Sequence, residues 1–110
     1  MAGALSRFSI LDLSRVLAGP SCTQILADLG AEVIKIERPG VGDDTRGWGP
    51  PYLKAADDSD TSEAGYYLSA NRGTRSVSID ISHPSGKSVI RDLALNSDVL
   101  AQNFKVGGMR

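Results

Sequence analysis

The chain has 110 residues, which gives room for one small domain or part of one. Its 41% hydrophobic and 23% charged residues are ordinary for a soluble globular protein and argue against a fibrous or disordered chain. Twelve Lys and Arg against thirteen Asp and Glu leave a net charge of −1, so the basic field with which a nucleic-acid-binding domain meets phosphates is absent.

The single cysteine, Cys22, cannot form an internal disulfide, and no Cys/His cluster has zinc-like spacing, so no metal site is expected. The first ten residues lack the roughly 7–15-residue apolar run of a secretory signal, and no segment approaches the roughly 18 apolar residues of a membrane span. The expected location is the cytoplasm, with no membrane partner.

Residues 8–13 read as a strand, and Gly19-Pro20 follows where a helix begins, since proline near the first helical position loses no needed N–H. Cys22, Ile25, Leu26 and Leu29 share one helical face, and Gly30 supplies a left-handed stop, so a helix is expected over 20–29 with that face in the core. Glu32 to Glu37 is rich in β-branched residues and is ended by Pro39-Gly40, which makes residues 8–38 a βαβ unit.

Residues 39–65 carry Gly, Pro, Asp, Thr and Ser without a sustained period and read as a long loop. Residues 66–71 fit a short helix better than a strand. Val77, Ile79 and Ile81 alternate with polar residues as in a strand, and Ser82 with Pro84 opens a second helix whose buried face is Val89, Ile90, Leu93 and Ala94. With a last strand at 98–103, residues 75–103 form a second βαβ unit, and the fold class is α/β with a Rossmann-like parallel sheet and flanking helices.

A strand that feeds a Gly-Pro turn and a helix start can hold an anion on unpaired N–H groups. The turn reads Ser14-Arg-Val-Leu-Ala-Gly-Pro20 and lacks the G-x-G-x-x-G fingerprint of dinucleotide binders. At the end of the second strand, Arg38 suits a phosphorylated ribose, as in NADP or coenzyme A (CoA), and equally a solvated strand end. Lys35, flanked by Ile34 and Ile36, reads as a solvated charge, and so do Asp43, Asp44 and Arg46, because adjacent carboxylates diverge and no further ligands cluster there. His83 reads as a surface cap of the helix after it, Asp57 to Glu63 as an exposed loop tip, and Trp48 as either a ligand or partner anchor or an internally buried ring.

The segments LDLSRVLAGPSCTQILADLGAEVIKIERPGVGDDTRGWGPP (11–51), NRGTRSVSIDI (71–81) and DVLAQNF (98–104) together resemble the opening of the family III CoA-transferases, the CaiB/BaiF family. The resemblance implies that residues 1–110 are the N-terminal part of a Rossmann-like large domain in a protein several times longer, which pairs as an interlocked homodimer. It implies transfer of CoA between an acyl-CoA and a free carboxylic acid, with CoA as substrate, no tightly bound cofactor, and an aspartate nucleophile that forms anhydride and thioester intermediates.

That aspartate is expected beyond Arg110, so no catalytic residue is assigned in the chain. By the same resemblance, the CoA-binding positions are Val16, Leu17, Arg38, Ile79, Asn103 and Phe104. Ser82 stands where some relatives carry a basic residue, and Gln102 replaces the acid that usually precedes the Asn-Phe pair. Two alternatives stay open: an inactive fragment or split subunit that binds CoA or a partner chain, and a 2-methylacyl-CoA racemase.

Overall fold

The computed structural model describes residues 3–109. Its elements in chain order are β1 (Ser9–Asp12), α1 (Ala18–Asp28), β2 (Glu32–Glu37), a 3-10 turn (Asp44–Gly47), β3 (Tyr52–Lys54), β4 (Asp60–Ala64), α2 (Gly65–Ala70), β5 (Arg75–Ser78), α3 (Pro84–Leu95) and β6 (Val99–Ala101). Four parallel strands are ordered β5-β2-β1-β6, and β3 pairs with β4 in a separate two-stranded antiparallel sheet.

The two central strands present different chemistry to the two faces. In register, Ile10 pairs with Val33 and Leu11 with Ile34. Ile10 and Val33 meet Leu26 and Ala27 of α1, whereas Leu11, Leu13 and Ile36 meet Ile90, Leu93 and Ala94 of α3. Strand side chains alternate between faces, so the α1 face continues through Asp12, Lys35 and Glu37 and becomes polar toward the carboxyl ends. The α3 face stays apolar through Ile36.

This polarity change overturns two expectations. Lys35 is not a solvated charge: it is fully buried, and its ammonium lies 2.7 Å from Asp43, itself fully buried. Lys35 also donates to Asn71 at 2.8 Å, and Asp43 accepts from the backbone N–H and hydroxyl of Thr45 at 3.0 and 2.9 Å. Glu37 accepts from Arg46 at 2.8 and 3.1 Å and from the Tyr67 hydroxyl at 2.6 Å, while the Arg46 guanidinium stacks 3.8 Å from the Tyr67 ring centre. The partners that bury these charges, Asp43, Asn71, Arg46 and Tyr67, come from outside β2, which local spacing does not reveal.

The helices depart from their expected faces for related reasons. In α1 the fully buried residues are Pro20 and Thr23, the Thr23 hydroxyl donating to the buried Asp12 carboxylate at 2.6 Å, and of the expected face Leu26 alone packs on the core. Ile25 and Leu29 are consequently 58% and 47% exposed, and Cys22 is exposed rather than core. In α3 the expected Ile90, Leu93 and Ala94 pack on the sheet, but Val89 is exposed. The α3 cap is His83, whose Nδ1 accepts from the Ser85 N–H at 3.1 Å, rather than Ser82.

The segment 39–65 is not structureless. It holds the 3-10 turn and the β3–β4 hairpin, the latter braced by a Lys54–Asp60 ion pair at its loop end. The acidic tip is exposed as expected, and Trp48 packs edge-on against Tyr66 with ring centres 5.2 Å apart while staying 46% exposed.

Burial alone would raise the Glu37 and Asp43 carboxyls. Bonds and charge from Arg46, Tyr67 and Lys35 around Glu37, and from Lys35 and Thr45 around Asp43, outweigh it and hold both below their ordinary values of 4.5 and 3.8. A lowered folded-state value means the unfolded chain binds protons first. Their stabilisation is therefore complete above the ordinary carboxylate range and is lost as pH falls through the lowered values. Urea midpoints measured down that range are expected to fall. Glu37→Gln is expected to cost about 1–3 kcal/mol at neutral pH, because Arg46 loses its charged partner, and to flatten the acid limb.

Gly86, buried in the first turn of α3, lets the helix lie against the chain leaving β5: an added Cβ would sit 2.8 Å from the Asp80 carbonyl carbon. Gly86→Ala gains about 1 kcal/mol of helix propensity but meets an overpacking cost of about 1–3 kcal/mol against backbone that cannot swing away. A lower melting temperature is expected. A higher one would show that α3 is not seated on this turn.

Candidate functional site

Strand order β5-β2-β1-β6 places the second βαβ unit's return strand on the opposite side of β1 from β2. Open parallel sheets bind ligands outside the carboxyl ends of their strands, where the order reverses. A crevice of about 390 Å³ opens at those ends. Leu13 after β1, Ile36 to Arg38 at the end of β2, Ile79 to Ser82 after β5 and Phe104 after β6 line it, with Arg15, Val41 and Asp43 completing the wall.

Three of the six residues named from the sequence meet at this crevice: Arg38, Ile79 and Phe104. Ile79 and Phe104 pack into the α3-side cluster and give the crevice an apolar floor. Arg38 follows Ile34 and Ile36 on the same strand face, which aims its guanidinium over that floor. Nε and Nη2 donate to the Gly42 carbonyl at 3.3 Å, and Nη2 also pairs with Asp44.

The other three, Val16, Leu17 and Asn103, do not line the crevice. Val16 and Leu17 belong to the adjoining β1–α1 turn, and Asn103 follows β6. The Asn103 side chain donates to the Arg15 carbonyl at 2.9 Å and accepts from its N–H at 3.1 Å, joining the exits of β1 and β6. Leu17 is the N-cap of α1, half exposed and without a side-chain cap bond. Val16 has φ +73°, an outlier for a β-branched residue that costs on the order of 1–3 kcal/mol unless its surroundings impose it. The Asp43 carboxylate imposes it by accepting the Val16 N–H at 3.1 Å.

Arg15, Val41 and Asp43 went unassigned in the sequence. Only the repeated glycines around Val41, Gly40 and Gly42 with φ +81° and +67°, hinted that the backbone turns there to close a wall.

Three aspartates at or beside the crevice are bonded to the scaffold, and Asp44 is paired, half exposed, with Arg38. Asp43 is paired with Lys35, Asp12 accepts from Ser14 and Thr23, and Asp80 accepts from the Ser82 N–H at 2.9 Å. The arrangement combines an apolar slot and a half-exposed guanidinium at one edge, which together suit a ligand with a flat apolar group next to an anion. Among the described residues no group of acidic, His and Cys side chains is disposed to hold a metal ion, and no helix is long and apolar enough to cross a membrane.

Comparison with known proteins gives one family. The model of CoA-transferase family III matches residues 5–110. The chain is 49% identical over 105 residues to a succinate–glutarate CoA-transferase of Agrobacterium fabrum, and 50% identical over 103 residues to the human succinyl-CoA:glutarate CoA-transferase. These alignments cover 96% and 94% of this chain but 26% and 22% of the relatives, so the chain spans about a quarter of their length. Among solved structures, a CAIB/BAIF family protein from Brucella suis superimposes with a TM-score of 0.88 at 41% identity, over 99% of this chain and 28% of that one. With an α/β parallel sheet of the same architecture and a match along nearly its whole length, the chain belongs to CoA-transferase family III.

Proposed function

We propose that the full-length protein transfers CoA between carboxylic acids and that this chain supplies the part that holds the nucleotide end of CoA. The observation that carries the reading is the crevice at the carboxyl ends of β1, β2 and β5, with Arg38 over an apolar floor of Ile79 and Phe104. Adenine is flat and largely apolar, and the adjoining 3′-phosphate is anionic. Val16, Leu17 and Asn103 then serve by shaping the adjoining turn, where the thioester arm would pass. Relatives named for transfer from succinyl-CoA to glutarate or mesaconate, and from formyl-CoA to oxalate, support small carboxylic acids as donor and acceptor.

In this reading a free aspartate carboxylate attacks the thioester carbonyl, the C–S bond breaks, and CoA leaves as the thiolate while a mixed anhydride forms. The thiolate attacks the aspartyl carbonyl of the anhydride and releases the donor acid, leaving an aspartyl-CoA thioester. The acceptor carboxylate attacks the aspartyl carbonyl of that thioester, forming a second anhydride and freeing the thiolate, which attacks the acceptor's acyl carbonyl to give the new acyl-CoA and restore the aspartate. The scaffold roles of Asp12, Asp43 and Asp80 support placing that aspartate outside residues 1–110. An interlocked homodimer and a cytoplasmic location belong to the same proposal. No observation favours racemisation.

Two measurements test the reading. In the full-length enzyme, Arg38→Ala is expected to weaken CoA roughly tenfold, the low end for a hydrogen bond to a charged group at an exposed site, and to leave dephospho-CoA nearly unchanged. Equal losses for both ligands would remove Arg38 from the phosphate site. The 110-residue chain incubated with succinyl-CoA and glutarate is expected to give no exchanged thioester by mass spectrometry. Turnover abolished by replacing one of its own aspartates would place the nucleophile inside the chain.

A further inference from the structure

We propose that Asp44 sets the site's preference between phosphorylated and unphosphorylated ligands by competing with the ligand's phosphate for the Arg38 guanidinium. The inference rests on Arg38 being the phosphate clamp. It goes further in assigning that clamp an internal occupant that must be displaced.

The placement of Asp44 is fixed by its neighbours. Asp43 is buried and anchored by Lys35, Val16 and Thr45, so the backbone at the start of the 3-10 turn cannot drift. On the other side, Gly42 turns at φ +67° where an added Cβ would lie 2.8 Å from Arg46 Cδ, and its carbonyl accepts from Arg38. Between these two fixed points the Asp44 side chain pairs with Arg38 Nη2.

Both side chains remain accessible, Arg38 at 47% and Asp44 at 43% exposure. An ion pair this exposed is worth about 0–1 kcal/mol, so it holds the guanidinium in place without locking it. A phosphate monoester carries about −1.5 to −2 charges near neutral pH against −1 for the carboxylate, and so wins the exchange. Among the described residues Nη1 makes no protein hydrogen bond, so the incoming anion can engage that edge of the fork first and then displace Asp44 from Nη2.

The test uses the full-length enzyme, titrated with CoA and dephospho-CoA. Asp44→Asn keeps the side-chain shape and removes the charge. It is expected to tighten CoA about two- to fivefold, the range of a released surface ion pair, and to leave dephospho-CoA unchanged. The gain should shrink as salt rises from about 0.05 to 0.5 M, because screening weakens both competitors for the guanidinium. In an Arg38→Ala background the gain should largely vanish, since there is no longer a cation to compete for.

An unchanged CoA affinity, or equal changes for both ligands, would overturn the proposal. So would a gain that persists undiminished without Arg38, which would make Asp44 a source of through-space repulsion. If Arg38→Ala alone fails to discriminate CoA from dephospho-CoA, the clamp itself is refuted. If it discriminates and Asp44→Asn does not, only the competition is refuted.

Discussion

The buried ion pair between Lys35 and Asp43 is the constraint on which the site depends. Removing two charges from water is costly, and their mutual attraction offsets that cost only when the remaining lone pairs and protons are also satisfied. Here they are: Asp43 accepts from Lys35, Val16 and Thr45, and Lys35 donates to Asn71 as well. The ion pair therefore ties the middle of β2, the turn after β1, the 3-10 segment and the end of α2 into a single geometry. A leucine pair of similar volume could supply comparable stability, but it would not hold the Val16 N–H or dictate which way the turn after β1 faces.

From that anchor the rest of the crevice follows. Holding the β1–α1 turn lets Asn103 bridge to it from the exit of β6, so the two strands that flank the reversal in strand order leave the sheet together. Holding Asp43 fixes the loop 39–43, which forms the wall opposite Ile79 and carries the Gly42 carbonyl that orients Arg38. The second polar set, Glu37 with Arg46 and Tyr67, fastens the far end of the same loop to α2. The crevice is thus apolar on the α3 side and rests against a fully bonded polar layer on the α1 side.

That division also explains why adjacent acids behave differently. Asp43 and Asp44 are neighbours, yet one is sealed under the sheet edge and the other is half exposed beside Arg38. In an extended or turning backbone, successive side chains point in different directions, so a single turn can spend one carboxylate on structure and leave the next for a ligand-facing cation.

The sequence by itself determined the types and order of the elements of the parallel sheet and its helices, because periods of two and 3.6 and the Gly and Pro stops are local signals, but not the 3-10 turn or the β3–β4 hairpin within 39–65. Ile10, Leu11, Val33 and Ile36 alternated as parallel core strands must, Gly30 stopped α1, and Arg38 stood at a strand end where an anion site is plausible. The resemblance carried by residues 11–51, 71–81 and 98–104 added the family. What only tertiary structure decided was which charges are buried and which apolar faces are not. Lys35, Asp43 and Glu37 are indistinguishable from surface residues until Asn71, Thr45, Arg46 and Tyr67 arrive from elsewhere in the chain. Ile25 and Leu29 form a convincing core stripe until the Thr23–Asp12 bond turns α1 about its axis. Burial of a charge depends on partners brought together across long loops, and no local period in the sequence records that meeting.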